Sequence, residues 1–258
     1  MSHSSTSPGN AMHRFVLPIG VHVAAIALWQ IGADYGGLPK YLLPSPWEMV
    51  QTLGQPRNQW LANTWVTTVE IFGGFLLAAV IGVGLALLFS WSRAATSALM
   101  PLLVSLNMIP KVALGPIIIV WLSYGINTNM LIAFAISFFP IVITTSRGLA
   151  EIEPEMLYLA RTLNASRWQI FRKIQFPGAL PYIFSGMKVA AVLAVAGAIV
   201  GEFIGSDRGL GYLMIQVQVN LDTATMFMAV IIITLIGVVI YGAVALLEWL
   251  LVNRRGAA

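Results

Sequence analysis

The sequence has no cysteine and very little charge, and both absences narrow what the chain can be. Without cysteine there are no disulfides, no thiol catalysis and no cysteine-ligated zinc or iron–sulfur centres. Charged residues make up only 9% of the 258 residues, hydrophobic residues make up 58%, and the mean hydropathy is +0.83. Such a composition cannot cover a soluble globule with polar surface, so lipid must solvate most of the chain.

Motifs for nucleotide hydrolysis and for acid–base or metal chemistry are missing as well. No Gly-x-x-x-x-Gly-Lys-Ser/Thr loop occurs, so the chain itself is not expected to bind ATP or to act as an enzyme. No serine–histidine–acid or metal-ligand grouping is visible, because His3 and His13 lie in the polar amino-terminal segment. His22 stands alone in an apolar stretch, where helix packing is the expected role and a functional role is the alternative.

The net charge of +4 does not indicate a nucleic-acid partner. The cations lie in short loops and are not gathered with aromatic residues on one face, which is typical of membrane topology. Residues 1–14 are too polar for a signal peptide and predict a disordered cytoplasmic tail. Residues 15–258 predict a single transmembrane domain.

Apolar stretches of about 20 residues, long enough to cross a bilayer, occur six times and predict an all-α integral membrane protein. No internal repeat is visible, so any pseudo-symmetry requires a second copy. The predicted spans cover residues 15–33, 66–89, 97–122, 130–146, 183–204 and 225–251.

The distribution of lysine and arginine places both termini in the cytoplasm by the positive-inside rule. The predicted cytoplasmic cations are Arg14, Arg93, Arg147, Arg161, Arg167, Arg172, Lys173, Arg254 and Arg255, and the predicted external ones are Lys40, Arg57 and Arg208. On the outer side, residues 36–53 contain too many prolines to span. They predict a short surface helix that begins at Pro46 after a capping Ser45.

Proline interrupts two of the predicted spans. The third carries Pro101, Pro110 and Pro116, and the fourth carries Pro140. Backbone groups freed by proline are tolerated in a membrane only where they face protein or a water-lined path. The pattern therefore predicts either kinked packing helices or helices that line a translocation path.

Ionisable residues at membrane depth are costly unless paired or hydrated. Lys188 is expected to extend to the inner interface, and Glu248 is expected to do the same. Lys111 either meets an anionic solute or pairs with a carboxylate, and Glu202 is either a partner of Arg208 or part of a gate. The candidate pathway residues are Asn107, Lys111, Glu70 and Glu202.

The segment 206–225, after the fifth predicted span, is too polar at its ends to cross the membrane and too apolar in its middle to stay in water. It predicts either a segment that dips back toward the pathway from outside, as an external gate, or an ordinary surface helix.

Residues 147–181 form a basic insert between two uncharged stretches, and two short helices are predicted in it. The first begins at Pro154 and ends at Asn164, a residue that tolerates the left-handed conformation. The second opens with a capping box made by Ser166 and Gln169.

The second helix of the insert is expected to end at Pro177 and Pro181, before the next span. The apex between the two helices is Leu163-Asn164-Ala165-Ser166. A loop so well ordered, yet too small to hold a core of its own, predicts a partner surface that receives it.

The insert resembles the coupling motif of inner-membrane permease subunits of binding-protein-dependent ABC importers. That motif begins Glu-Ala-Ala, has a glycine four residues after the second alanine and ends Ile-x-Leu-Pro. Here residues 158–160 (Tyr-Leu-Ala) take the first positions, Asn164 takes the glycine position and residues 174–177 (Ile-Gln-Phe-Pro) take the last. The resemblance implies the type I ABC importer permease fold. The ATPase-coupling residues that it implies are Tyr158, Leu159, Ala160, Leu163, Asn164, Ala165, Ser166 and Arg167.

Further segments look like the branch of this family that imports taurine, alkanesulfonates, nitrate, bicarbonate and thiamine or riboflavin precursors. They are LLPSPWEMVQTL at 42–53, IPKVALGPIIIVW at 109–121, FFPIVITTSRGL at 138–149 and GEFIGSDRGLGYL at 201–213. The second segment looks closer to members that carry pyrimidine precursors, riboflavin or related aromatic solutes. A sulfonate- or nitrate-type anion is the alternative.

The resemblance also implies partners and a location. It implies a homodimer of this subunit, two copies of a cytoplasmic ATPase that bind ATP and Mg²⁺, and an external solute-binding protein. The chain itself would carry no cofactor and would lie in a bacterial inner membrane, in contact with lipid and not with nucleic acid. A carrier driven by an ion gradient, or a channel, is the alternative class.

Overall fold

The computed structural model describes residues 8–151 and 153–252, and this part of the chain is built from helices without any strand. Five long apolar helices are able to cross a membrane, and a sixth crossing is divided into two pieces. The all-α prediction is therefore confirmed. In chain order the helices are α1 Pro8–Tyr35, α2 Pro46–Gln51, α3 Trp60–Trp91, α4 Arg93–Asn107, α5 Gly115–Leu122, α6 Ile126–Ala150, α7 Pro154–Thr162, α8 Arg167–Ile170, α9 Phe176–Gly205, α10 Leu210–Gln218 and α11 Thr223–Leu251.

Helix α1 has few contacts with the other spans, and near its carboxyl end the ring of Trp29 lies 6.1 Å from that of Phe227 on α11. It begins at Pro8, inside the segment predicted to be a tail, while residues 1–7 lie outside the described part of the chain. His22 does not pack against another helix as expected: it is exposed and hydrogen-bonds to the carbonyl of Pro18, at 2.7 Å. The outer end of α1 is tethered, because the backbone N–H of Trp47 donates to Gln30 Oε1 at 3.0 Å.

The third predicted span is interrupted by proline, as its sequence indicates, and the break is sharp. Its two halves, Thr96–Asn107 and Lys111–Leu122, meet at an angle of 85°. Pro110, which has no N–H to donate, sits at the break in an extended conformation with ψ of 97°. Pro101 and Pro140, in contrast, lie inside α4 and α6 without ending them. A proline ends a helix or is accepted within it according to whether neighbouring groups satisfy the backbone carbonyls that it leaves without a partner. The spacing of prolines along the sequence does not show this.

The short helix predicted after Ser45 is confirmed. It begins at Pro46, and Ser45 Oγ accepts a hydrogen bond from the backbone N–H of Glu48, at 3.3 Å. The carboxylate of Glu48 in turn accepts from the backbone N–H of Ser45, at 3.1 Å, which completes a capping box. Lys40 also hydrogen-bonds to Glu48, and these contacts lower the pKa of that carboxyl.

The core forms where α6 lies between α3 and α9, and small residues allow the three backbones to approach closely. A Cβ added at Gly74 of α3 would lie 2.5 Å from the Cβ of Ala133, a residue of α6. A Cβ added at Gly197 of α9 would lie 2.7 Å from the Cα of Ala133. Ala133 itself is completely buried. In a membrane such contacts replace the hydrophobic driving force between helices, because lipid is as apolar as a side chain.

The orientation of this bundle can be measured with single cysteines, because the native sequence has none and gives no background. Leu163→Cys lies on the predicted cytoplasmic apex and Asp207→Cys on the predicted external loop, and both native side chains are well exposed. We expect a membrane-impermeant thiol reagent to label Leu163→Cys only in inverted vesicles and Asp207→Cys only from the outer face. The reverse pattern would invert the topology.

Candidate functional site

The first helix of the basic insert ends as the sequence predicts. Asn164 has a left-handed backbone with φ of +55°. The N–H of Ala165 donates to the carbonyl of Ala160 at 3.0 Å, and the N–H of Asn164 donates to that of Arg161 at 2.9 Å. These two bonds form a Schellman motif, which satisfies the free carbonyls at the end of α7 and fixes the turn that follows.

The second helix of the insert begins as predicted but does not end as predicted. Ser166 Oγ accepts from the N–H of Gln169 at 3.2 Å, and Gln169 Oε1 accepts from the N–H of Ser166 at 2.8 Å. Beyond α8 the chain continues through a π-helical turn, Phe171–Gln175, directly into α9. Pro177 falls in the first turn of α9 and Pro181 lies inside it, so neither stops the helix. In the π-helical turn each carbonyl bonds to an N–H one residue further along than in an α-helix. Pro177, which has no N–H, therefore follows this turn without breaking the helix.

The apex of the insert presents apolar side chains to solvent. The exposed fractions are 75% for Tyr158, 60% for Leu159, 73% for Leu163 and 54% for Trp168. Beside them a shallow cleft of 210 Å³ is lined by Leu163, Ala165, Gln169, Ile170, Lys173 and Ile174. Large apolar side chains clustered on a loop that ought to lie in water are typical of a surface that a partner covers.

An aromatic cluster attaches this loop to the inner end of α3. The ring of Trp168 lies 6.0 Å from that of Trp91 and 5.7 Å from that of Phe171. Phe171 in turn lies 5.7 Å from Trp91 and 6.0 Å from Phe176. Sequence reasoning missed this cluster, because Trp91 is about 80 residues away from Trp168 along the chain and no local pattern links the two.

The base of the insert is fixed by an acidic residue. The hydroxyl of Tyr182, on α9, hydrogen-bonds to Glu151, and Arg147 Nε lies 3.2 Å from Glu151 Oε2. Together these contacts lower the pKa of Glu151. They join the inner end of α6 to the beginning of α9, so both roots of the insert are held in one place.

Lys111 and Asn107, two of the candidate pathway residues, are brought together at the break between α4 and α5. Lys111 Nζ donates to Asn107 Oδ1 at 2.7 Å and to the Asn107 carbonyl at 3.1 Å. It also lies 5.0 Å from the centroid of the Phe139 ring. Among the described residues no carboxylate is within ion-pair distance of Lys111. The half-buried cation is therefore held by neutral groups and a ring.

Glu70 and Glu202, the other two candidates, lie elsewhere and are almost completely buried, with 0% and 2% of their surface exposed. Glu202 accepts hydrogen bonds from Thr67 Oγ1 at 2.6 Å and from the backbone N–H of Gly211, in the first turn of α10. Of the two alternatives for Glu202, the pairing with Arg208 is wrong. The Arg208 guanidinium points to Asp207, at 3.8 Å, because both side chains remain in solvent. Neither Glu70 nor Glu202 opens to a path within this protomer.

Two further expectations are refined. Lys188 and Glu248 do not extend separately to the interface but form an ion pair of 2.8 Å between α9 and α11.

The segment after the fifth span contains α10, which buries Leu210, Leu213 and Val217 against its neighbours. It is therefore packed into the bundle along one face. A cleft of 530 Å³ opens beside it at the outer end.

Residues 71–251 match the family described as the binding-protein-dependent transport system inner membrane component. The chain belongs to this family. It is a permease subunit of an ABC importer, and this membership removes the alternative of an ion-gradient-driven carrier or a channel. The matched range includes the basic insert and both segments that meet at Pro110.

Three relatives are similar over nearly their whole length. The formylaminopyrimidine transport permease protein ThiX of Halalkalibacterium halodurans is 33% identical, over 89% of this chain and 92% of that protein. The riboflavin transport system permease protein RibX of Chloroflexus aurantiacus is 35% identical, over 94% and 93%. The putative aliphatic sulfonates transport permease protein SsuC of Bacillus subtilis is 27% identical, over 97% and 91%.

A solved structure confirms the fold. An inward-facing form of the MetNI methionine ABC transporter superposes with a TM-score of 0.63, covering 81% of this chain and 98% of the matched chain at 18% identity. The predicted type I importer permease fold is therefore confirmed.

The left-handed turn at Asn164 gives a direct test of the apex geometry. Asn164→Val should strain the turn by about 1–2 kcal/mol, because a β-branched residue tolerates this conformation poorly, whereas Asn164→Gly should be accepted. We expect affinity-purified permease to retain less ATPase in the valine variant and a normal amount in the glycine variant. Thr162→Val, on the last turn of α7, is the matched control. Normal ATPase retention in Asn164→Val would contradict the prediction.

Proposed function

We propose that this subunit forms the membrane path of an ATP-driven importer and that a cytoplasmic ATPase docks on residues 158–167 of each copy. The observation that carries the proposal is the apex of the basic insert, where two capped helices hold apolar side chains in solvent. ATP and Mg²⁺ would be bound by the ATPase, since the sequence of this chain has no phosphate-binding loop.

The assembly we propose is a homodimer with two ATPase copies, an external binding protein and both permease termini in the cytoplasm of a bacterial inner membrane. One chain supplies one basic insert and has no internal repeat, so a two-fold arrangement needs a second chain. The binding protein would meet the outer face, where the cleft beside the loop before α10 opens.

The transmission path that we propose begins at Trp168. When the ATPase moves the apex, the stacked rings of Trp168 and Phe171 push against Trp91, at the inner end of α3. The same motion enters α9 directly through the π-helical turn. Because α3 and α9 both pack on α6, the bundle would respond as a unit and alternate between outward- and inward-open states.

The solute we propose is a small aromatic compound related to a pyrimidine or vitamin precursor. Support comes from the two relatives named for formylaminopyrimidine and riboflavin, and from the site at the broken span. There Lys111 and Asn107 supply hydrogen-bond donors beside the ring of Phe139, a combination that suits a planar aromatic solute whose ring nitrogens and attached carbonyl oxygens accept hydrogen bonds. A sulfonate- or nitrate-type anion would also be attracted by Lys111, so it is kept as the second candidate.

Ala165 tests the coupling site. Ala165→Asp would place an unpaired charge in a contact that loses its water, at a cost of about 3–5 kcal/mol. We expect the ATPase to dissociate or to lose its stimulation by solute-loaded binding protein, while solute binding by the binding protein is unchanged. Ala165→Ser is the control for a side-chain change without charge. If Ala165→Asp retains a full complement of stimulated ATPase, this loop is not the coupling element.

Lys111 tests the pathway. Lys111→Met removes the charge without leaving a carboxylate unpaired, so assembly and basal ATP hydrolysis should persist while uptake falls by roughly tenfold, as expected for the loss of one charged hydrogen bond. Lys111→Arg should keep more uptake. Comparing riboflavin, a formylaminopyrimidine and an alkanesulfonate in the same vesicles ranks the solute classes. Wild-type uptake of the transported solute by Lys111→Met would remove Lys111 from the pathway.

A further inference from the structure

The side chains of Glu70 and Glu202 meet inside the protomer, although they come from different helices. Glu70 lies on α3, one helical turn after Thr67, and Thr67 Oγ1 donates to Glu202 on α9, at 2.6 Å. The two carboxyl groups interact directly with each other. Both are shielded from solvent, so this is a contact between two acidic groups in a medium that solvates charge poorly.

No cation balances this pair among the residues that the structure describes. Helix α6 contributes Asn129, which is neutral, and α10 contributes the backbone of Tyr212. The nearest charged side chains along the chain are Asp207 and Arg208, which are 82% and 73% exposed and face each other. Two adjacent carboxylates without a counter-charge repel strongly when buried, and a shared proton removes that repulsion.

Glu202 is surrounded by donors, which favours its charged form. The N–H groups of Gly211 and Tyr212 both donate to Oε2, the latter at 3.3 Å. Thr67 Oγ1 accepts from the N–H of Leu210 at 2.8 Å, so its own hydrogen is free to point at Glu202 Oε1. These donors form an anion-binding nest that the protein fills with its own carboxylate.

Glycine allows the nest to close around Glu202. Gly209 has φ of +112°, a conformation that side chains rarely adopt, and a Cβ there would lie 2.3 Å from the carboxyl carbon of Glu202. A Cβ at Gly211 would lie 2.9 Å from Oε2. The Gly-Leu-Gly sequence at 209–211 is therefore shaped to the carboxylate, and a larger residue at either end would displace it.

Glu70 has the opposite surroundings. Its Oε1 accepts from Asn129 Nδ2 at 2.9 Å, but its Oε2 is buried without a donor. A carboxyl oxygen that carries a proton needs no donor and can itself donate to a neighbouring carboxylate. We propose that Glu70 and Glu202 bind a single proton between them, held on Glu70, and that this proton-binding site fastens the first turn of α10 to α3, α6 and α9.

Infrared spectroscopy of the purified permease–ATPase complex tests the proposal directly. We expect the carbonyl band of a buried protonated carboxylic acid in the wild type and its loss in Glu70→Gln. Glu48→Gln, which changes an ionised surface carboxylate paired with Lys40, is the control and should keep the band. A wild-type spectrum without the band, or a band that survives in Glu70→Gln, would overturn the proposal.

The pH dependence of melting gives a second test. If the folded protein holds a proton that the unfolded chain releases at neutral pH, folding takes up a proton and the Tm falls as pH rises. We expect the Tm of the wild type and of Glu48→Gln to fall as pH rises. The Tm of Glu70→Gln should fall less, because the glutamine amide donates a hydrogen bond at every pH without binding a proton. The same pH slope in Glu70→Gln and the wild type would count against a proton on Glu70.

Glu202→Gln decides which residue holds the proton. The amide N–H of a glutamine at this position would point at the N–H groups of Gly211 and Tyr212, which leaves donors facing donors. The Tm of Glu202→Gln should therefore be at least roughly 3 °C lower than the Tm of Glu70→Gln at the same pH. Failure of this variant to fold agrees with the assignment. A Glu202→Gln variant that is more stable than Glu70→Gln would place the proton on the other carboxyl and overturn the assignment.

Discussion

Close contact between helix backbones is the constraint on which the rest of this structure depends. Apolar side chains are solvated as well by lipid as by other side chains, so no hydrophobic effect drives helices together in a membrane. Helices associate there where small residues let their backbones come into contact. Ala133 of α6 occupies such a position, with Gly74 of α3 on one side and Gly197 of α9 on the other. The contact sets the distance between three spans. It therefore also places Glu70 opposite Glu202 and brings Tyr182 to Glu151, at opposite ends of the same helices.

The protein stabilises ionisable groups within or beside its membrane-spanning helices in three different ways. Lys188 and Glu248 form an ordinary ion pair between two helices. Lys111 is held by an amide, a carbonyl and an aromatic ring, all neutral, which leaves its charge uncancelled at the place where a span is broken. Glu202 is surrounded by backbone N–H groups. Of the residues in these three groups, Lys111 combines partial exposure with no opposite charge within ion-pair distance in the described part of the chain, and this separates it from the buried Glu202 and from the Lys188–Glu248 pair.

Sequence reasoning succeeded where the signal is local and failed where it depends on distant neighbours. The caps at Ser45 and Ser166 and the left-handed turn at Asn164 each follow from a few adjacent residues, and all three are present. The bend at Pro110 was visible as an irregularity, but its angle of 85° depends on what surrounds the backbone. The pairing of Glu202 with Arg208, one of two alternatives, fails because backbone donors that only the fold brings together bind Glu202, while Arg208, the nearest opposite charge in sequence, stays in solvent.

The uninterrupted helix from Arg167 to Gly205 has a mechanical consequence. Its 39 residues span about 58 Å at the usual helical rise, from the apex of the basic insert to the segment that precedes α10. A continuous helix of that length acts as a lever. A tilt of about 5° would carry its far end sideways by about 5 Å, which is close to the rise of one helical turn. On the proposed function, a small movement at the apex of the basic insert would therefore be passed along α9 to its far end through the π-helical turn.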